Sequence, residues 1–143
     1  MRFLGDTPKE FDVCIDVTYP EAKKPDGGTA GGLAIWFKDY QNTYIVATTP
    51  AGVAGAHRYN KDKYGLVSPY RKQASLKAGV GEKNTLRVTA KGNQVTVYAN
   101  DQRLFAFRGT PEEAYIGLYA QSWEGETSNT WKFSNFKLTE APK

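Results

Sequence analysis

Apolar and polar residues alternate along most of the chain, which is the pattern of β-strands with one buried face. From Phe11 to Tyr19 the odd positions are apolar or aromatic, Asp, Cys and Thr occupy the even positions, and Pro20 ends the run. Gly, Pro and Asn recur too often for an apolar stripe with helical spacing to extend over three turns. The pattern predicts about nine to eleven short strands and no helix, and therefore an all-β sandwich or barrel.

The other predicted strands are separated by turn residues: residues 33–37, 43–49, 53–59, 86–90, 94–98, 103–107, 115–122 and 130–138. The first two of these are expected to form a hairpin, and residues 86–107 a three-stranded meander. Phe133 and Phe136 are three positions apart, which predicts a bulge near Ser134 and Asn135. Both phenylalanines, together with Trp131, are assigned to the core. Residues 60–81 contain Pro69 and few aliphatic residues, so short strands and loops are expected there.

The composition predicts one compact domain over residues 1–143, with 19 Lys and Arg against 15 Asp and Glu. Cys14 is the single cysteine, which excludes a disulfide framework or a Cys-based zinc site within the chain. No apolar run approaches the ~18 residues of a membrane helix. Residues 1–8 lack the apolar segment of a secretory signal.

Positive charge is concentrated between Arg58 and Lys83, where seven basic residues stand against two acidic ones. Tyr59, Tyr64 and Tyr70 are interleaved with these charges. The segment is either a solvated loop region or a patch for an acidic ligand. The sequence contains no nucleic-acid-binding motif, so a nucleic-acid partner is not expected.

Aromatic side chains are also expected on an outer sheet face, where a saccharide can stack on them. Along residues 115–123 one face carries Tyr, Gly, Tyr, Gln and Trp, whereas Ile116, Leu118 and Ala120 form an apolar core face. By the same alternation, Leu33, Ile35 and Phe37 are expected in the core, with Trp36 on the outer side. The alternative interpretation is that these rings fill the fold itself. The predicted ligand-binding residues are Trp36, Tyr44, His57, Arg58, Arg71, Tyr119, Gln121 and Trp123, with the arginines favouring acidic groups on the ligand.

Five segments resemble a known superfamily: residues 31–39 (GGLAIWFKD), 42–46 (NTYIV), 84–88 (NTLRV), 92–100 (GNQVTVYAN) and 115–119 (YIGLY). They are similar to the concanavalin A-like lectin and glucanase jelly rolls, and most similar to laminin G-like and keto-disaccharide-hydrolase-like domains of exported bacterial proteins. The resemblance covers roughly residues 9–139 and departs at Asp101, where the pattern has Gly. It implies a jelly-roll sandwich of two curved antiparallel sheets, ligands on the concave face or rim loops, and a periplasmic or secreted location. These motifs specify the fold far better than the function.

Enzymatic activity would require two convergent carboxyl groups. The family 16 glycoside hydrolases of this superfamily carry three carboxylates as E-x-D-x-E, and here Glu10 and Asp12 match the first two positions while Cys14 occupies the third. Glu124 and Glu126 form a second such pair, which is more typical of loop charge.

His57 is the only histidine, and no run supplies the spaced oxygens of a calcium site, so no cofactor is expected beyond a structural calcium held by rim carbonyls.

The predicted function is therefore a non-catalytic carbohydrate-binding or interaction module that binds a saccharide by aromatic stacking. Two alternatives stay open. One is a glycoside hydrolase or keto-sugar-cleaving enzyme that uses Glu10 and Asp12, or Glu124 and Glu126, and the other is a structural or protein-interaction domain. The sequence gives neither the ligand nor the oligomeric state.

Overall fold

The computed structural model describes residues 2–7, 10–20, 29–111, 114–122 and 131–139. These residues form strands and turns, and none of them belongs to a helix long and apolar enough to cross a bilayer. In chain order the strands are β1 (Arg2–Thr7), β2 (Phe11–Thr18), β3 (Thr29–Asp39), β4 (Asn42–Thr49), β5 (Val53–Asn60), β6 (Lys63–Lys72), β7 (Lys83–Lys91), β8 (Gln94–Ala99), β9 (Gln102–Arg108), β10 (Ala114–Ser122) and β11 (Lys132–Thr139).

The strands pair antiparallel into two sheets that pack face to face. A six-stranded sheet has the order β1-β10-β3-β4-β5-β6, and a five-stranded sheet has the order β11-β2-β7-β8-β9. Strands distant in sequence, such as β3 and β10, are neighbours in space, because the chain crosses repeatedly between the sheets. The predicted all-β jelly-roll sandwich is confirmed.

The main core lies between the inner faces of the two sheets. Along β2, Phe11, Val13, Ile15 and Val17 are each at most 1% exposed, and the residues between them are half-buried, as the alternation predicted. They pack with residues of β7 and β8 and with the inner face of the six-stranded sheet. Burying each of these side chains contributes about 1.5–3 kcal/mol to the free energy of unfolding.

A bulge in β3 reverses the predicted facing of Trp36 and Phe37. Trp36 has a φ of 46°, and the regular pairing with β4 is interrupted between Ile35 and Asp39. Ile35 and Trp36 consequently both lie in the main core, where Trp36 is 2% exposed and packs edge-on against Phe11, whereas Phe37 packs on the outer face. The prediction that Trp36 faces outward is therefore wrong. Phe37 is buried as predicted, at 3% exposure, but on the other side of the sheet from Leu33 and Ile35.

Residues 63–72 form one ten-residue strand, β6, where short strands and loops were expected. Pro69 has no backbone N–H to donate, and β6 tolerates this because it lies at the edge of its sheet. In addition, the pairing of β6 with β5 is irregular between Ser68 and Arg71, on either side of the proline. Elsewhere the turn and bulge predictions are confirmed. Asn100 and Asp101 have φ values of 52° and 67°, and β11 is irregular around Asn135.

Candidate functional site

The outer face of the six-stranded sheet carries five ring side chains that meet at one histidine. We call this group the tyrosine cluster: His57 and Tyr59 on β5, Tyr64 and Tyr70 on β6, and Tyr119 on β10. The four tyrosine ring centroids lie 5.3 to 6.2 Å from that of His57. Tyr59 and Tyr64 also contact each other, at 5.9 Å.

Small residues on the intervening strands allow these rings to meet. Tyr119 pairs with Gly32, Gly32 with Ala47, and Ala47 with Gly55, so one row across the sheet has little side-chain volume. A Cβ atom on Gly55 would lie 2.7 Å from Cγ of Tyr70, which shows that this tyrosine lies across the glycine. Tyr119 and His57 therefore reach each other although β3 and β4 separate their strands.

The cluster is uncharged at neutral pH. His57 is 7% exposed, its Nδ1 forms a 2.7 Å hydrogen bond with Oη of Tyr70, and burial lowers its pKa to about 4. Burial likewise raises the pKa values of Tyr70 and Tyr119, so both phenols keep their protons. The hydroxyl of Tyr119 donates to the side-chain oxygen of Gln121. The cluster thus presents aromatic rings and neutral hydrogen-bonding groups.

The members of the cluster differ in their access to solvent. Tyr64 is 60% exposed, Tyr59 is half-buried, and Gln121 is exposed. His57 and Tyr119 are each less than 9% exposed, and Tyr119 packs with Ala30, Ala34 and Ala47 of the outer face. A ligand would therefore meet Tyr64 and Tyr59, whereas His57, Tyr70 and Tyr119 hold these two rings in place.

A second aromatic surface lies nearer the β3–β4 turn. Phe37, Tyr40 and Tyr115, together with Lys38 and Asp39, line an open depression of about 520 Å³. The ring of Tyr40 packs edge-on against Phe37 at 5.2 Å, and Phe37 belongs to the same outer apolar cluster as Tyr119. Buried apolar residues of the outer face thus connect this depression with the tyrosine cluster.

A small polar pocket adjoins the tyrosine cluster where β4 and β5 reach their turns. We call it the end pocket. Its volume is about 60 Å³, and its lining includes Tyr59 of the cluster. The guanidinium of Arg58 lies 4.9 Å from the ring centroid of Tyr44, a cation–π contact. The full lining is Trp36, Asn42, Thr43, Tyr44, Arg58, Tyr59, Asn60 and Thr110.

The predicted ligand-binding residues fall into separate groups. His57, Tyr119 and Gln121 meet at the tyrosine cluster, whereas the main-core residues Trp36 and Tyr44 line the end pocket beside Arg58. Arg71 pairs with Ala54, a main-core residue, so its side chain leaves the other side of the sheet from the cluster. Trp123 lies outside the described residues, as do Glu124 and Glu126.

The sequence interpretation did not assign Tyr59, Tyr64 and Tyr70 to the site, because it read them as part of a basic loop region. The signal that locates two of them is strand alternation. Tyr59 lies two positions after His57 on β5, and Tyr64 is its partner across the β5–β6 turn. Residues so related project from one face of a sheet.

The carboxylates considered for catalysis lie on the other sheet. Asp12 accepts two hydrogen bonds from Arg87, at 2.9 and 2.6 Å, and Oε2 of Glu10 accepts the amide of Gly92 at 2.6 Å. Each carboxylate thus has a structural partner, and Asp12, on a strand of the five-stranded sheet, is separated from the tyrosine cluster by the main core. Within the described ranges, no three His, Cys, Asp or Glu side chains are grouped so that they could hold a metal ion.

No family model matches the chain, and no curated protein matches it. Several solved structures are similar to it. The carbohydrate binding module CBM66 from Bacillus subtilis is similar with a TM-score of 0.73 at 18% identity, over 96% of this chain and 78% of that one. Sheep galectin-11 is similar with a TM-score of 0.70 at 7% identity, over 96% and 95%.

A GH43 protein from Bacillus licheniformis is similar with a TM-score of 0.68 at 11% identity, and the match covers 92% of this chain but only 28% of that one. At these identities the likeness establishes architecture alone. The two-sheet topology and these structural neighbours together show that the chain has the concanavalin A-like jelly-roll fold that its motifs resemble.

Proposed function

We propose that the protein is a non-catalytic carbohydrate-binding module whose ligand lies on the tyrosine cluster. In this proposal Tyr64 and Tyr59 stack against the apolar C–H face of a sugar ring. Gln121, which already accepts the hydroxyl of Tyr119, offers its amide N–H groups to the sugar hydroxyls. Ring stacking by Trp36 is not part of the proposal, because that side chain is buried in the main core.

The observation that carries the proposal is an exposed tyrosine, Tyr64, beside the half-buried Tyr59 and supported by buried neutral side chains. Tyr64 is 60% exposed, yet its ring is fixed by Tyr59 and His57, and His57 is in turn bonded to Tyr70. Aromatic side chains with this support lose little conformational freedom on binding. A large exposed aromatic surface with convergent polar groups is typical of a binding site.

The structural neighbours support the same class of function. One is a carbohydrate binding module and another is a galectin, and both match nearly the whole of this chain. The contacts of Glu10 and Asp12 with Gly92 and Arg87 favour a structural role for these carboxylates over acid–base catalysis. An exported setting stays a prediction from the motif resemblance.

A glycan-array screen of the purified protein, followed by calorimetric titration of the best neutral oligosaccharide, tests the proposal. Tyr64→Ala is expected to weaken binding by about tenfold or more, because a stacked ring contributes on the order of 1–2 kcal/mol at a binding site. The matched control is Tyr98→Ala, since Tyr98 lies on the five-stranded sheet under Arg87. An unchanged affinity in Tyr64→Ala would contradict the proposal. The absence of binding to any glycan on the array would favour a protein-interaction role.

A further inference from the structure

The end pocket is rich in hydrogen-bond donors and carries no negative charge of its own. None of the eight described residues that line it is Asp or Glu. The side-chain oxygens of Asn42 and Thr43 are already engaged, with the amide of Lys61 and with the carbonyls of Ile35 and Tyr44. A volume of about 60 Å³ accommodates a few waters or one small polar group.

Arg58 supplies a half-buried positive charge at this pocket without a counterion. Within the described ranges the ion pairs are Asp12 with Arg87 and Asp16 with Lys83, both on the other sheet. The guanidinium of Arg58 contacts the ring of Tyr44, and its planar fork of N–H groups matches the oxygens of a carboxylate or a sulfate.

Two further donors line the same pocket. The indole Nε1 of Trp36 is buried and has no hydrogen-bond partner among the described residues. An indole N–H can only donate, and a buried donor without an acceptor is rare in folded proteins. Oη of Tyr44 accepts the amide of Thr110 at 2.9 Å, which leaves its own proton to donate. The Arg58 guanidinium and the Trp36 indole can only donate, and an oxyanion would supply acceptors for them.

Tyr59 connects the end pocket with the tyrosine cluster. Tyr59 is one of the residues that line the pocket, and its ring packs against Tyr64 and His57 at 5.9 and 5.5 Å. The adjoining turn carries Lys61 and Lys63 beside Asp62, and the nearby Asp39 carboxylate is bonded to the Asn42 side chain and the Gln41 amide. The surroundings of the pocket are net positive.

From these contacts we infer that the end pocket binds an oxyanion substituent, a carboxylate or a sulfate ester, of a saccharide. Arg58 pairs with the anion, and Trp36 and Tyr44 donate to it. The inference rests on the proposed function for the identity of the parent molecule. The anion site itself rests only on the pocket.

Paired titrations test the inference. A galacturonate trisaccharide and a sulfated galactose trisaccharide are each compared with the neutral galactose trisaccharide. We expect at least one acidic ligand to bind about tenfold more tightly than the neutral one, and Arg58→Gln to abolish that preference while the neutral affinity is kept. Arg103→Gln, an exposed arginine on β9, is the matched control. Equal affinities in the unaltered protein, or a preference that survives Arg58→Gln, would overturn the inference.

A spectroscopic titration separates this inference from the proposed function. The indole N–H resonance of Trp36, assigned with Trp36→Phe, is followed while galacturonate monosaccharide or inorganic sulfate is added. A saturable shift of that resonance, absent in Arg58→Gln, supports the anion site even if no neutral saccharide binds. A resonance that stays in place with both probes contradicts it. Movement with galacturonate alone, or with sulfate alone, assigns the site to carboxylates or to sulfates.

Discussion

Gly55 determines whether the tyrosine cluster can form, because the ring of Tyr70 lies directly over its Cα. An added methyl group would approach both the ring and the backbone of Tyr70 within 2.9 Å, and the backbone cannot yield as a flexible side chain does. The effect of this one position reaches His57, since Tyr70 holds the imidazole by a hydrogen bond.

Gly55→Ala is therefore expected to lower the free energy of unfolding by roughly 1–3 kcal/mol, as overpacking does in a filled site. Chemical denaturation measures the loss. Gly65→Ala is the matched control, because a Cβ there meets nothing within 4 Å on the neighbouring strand. Equal stability of the two variants would show that Tyr70 does not lie across Gly55.

His57 makes stability depend on pH in a defined window. Burial lowers its pKa from 6.5 to about 4, so between these values the unfolded chain binds a proton that the folded chain does not. The free energy of unfolding is then highest above pH 6.5 and falls as the pH is lowered toward 4, by roughly 2–3 kcal/mol from this group.

Denaturation midpoints of the unaltered protein and of His57→Gln, measured across this window, test the assignment. The variant is expected to lose much less stability on acidification. Asp16, whose pKa is lowered by hydrogen bonds from Asn135 and Thr85, contributes only at more acidic pH and is common to both proteins. Parallel pH profiles would mean that the imidazole of His57 is not buried.

At the scale of elements, strand alternation predicts facing correctly only where a strand is regular. In β2 every second residue is buried as expected, and Ile116 and Leu118 of β10 pack at the main core while Tyr119 faces the other way. In β3 the bulge at Trp36 turns the side chain of Trp36 to the main core and that of Phe37 to the outer face, the reverse of what alternation predicts. A positive φ is unfavourable for Trp and is stabilised here by packing with residues distant in sequence. No local sequence signal therefore predicts the bulge.

A buried asparagine, Asn84, is one of the groups that hold the segment between β6 and β7 to the sandwich. Asn84 is fully buried, its Oδ1 accepts the amide of Lys77 at 2.8 Å, and its Nδ2 donates to the carbonyl of Lys77 at 3.0 Å. Asn100 also donates to Asn84 and to the carbonyl of Ser75. These bonds replace the ladder that an irregular segment lacks.

Asn84→Ala is expected to destabilise the protein by about 2–3 kcal/mol, because it leaves several buried groups without partners. Asn93→Ala, on the exposed β7–β8 turn, is expected to change stability by less than about 0.5 kcal/mol. Thermal and chemical denaturation of both variants make the comparison. Similar losses at the two positions would contradict a structural role for the Asn84 network.

At the scale of the whole molecule, the two outer faces differ in chemistry. The five-stranded sheet presents Asp12, Asp16, Arg87 and Lys83 in ion pairs, whereas the six-stranded sheet presents uncharged rings. Asp12→Asn is expected to reduce stability by roughly 1 kcal/mol, through loss of a partly exposed bidentate pair, and to leave saccharide affinity unchanged. Calorimetric titration and denaturation of this variant check both expectations. A loss of saccharide affinity would show that Asp12 takes part in binding.

The fold could be predicted from the sequence because hairpin turns and alternating strands are local signals. The candidate site could be predicted only in part. His57, Tyr119 and Gln121 were identified from their residue types and facing. Tyr64 was missed although it pairs with Tyr59 across the β5–β6 turn. Tyr70 was missed because its place depends on β6 pairing with β5 at a sheet edge through two irregular registers. Such pairing is set by the whole sandwich and not by the segment itself.

The most direct test of the account is a map of where a saccharide binds. Backbone amide resonances are followed while the best ligand from the array is titrated into the protein. The account predicts that saturable shifts concentrate on β5, β6 and β10 around His57, Tyr64 and Tyr119, and that β2, β7 and β8 stay unchanged. Shifts centred on Asp12 and Arg87 of the five-stranded sheet would contradict it.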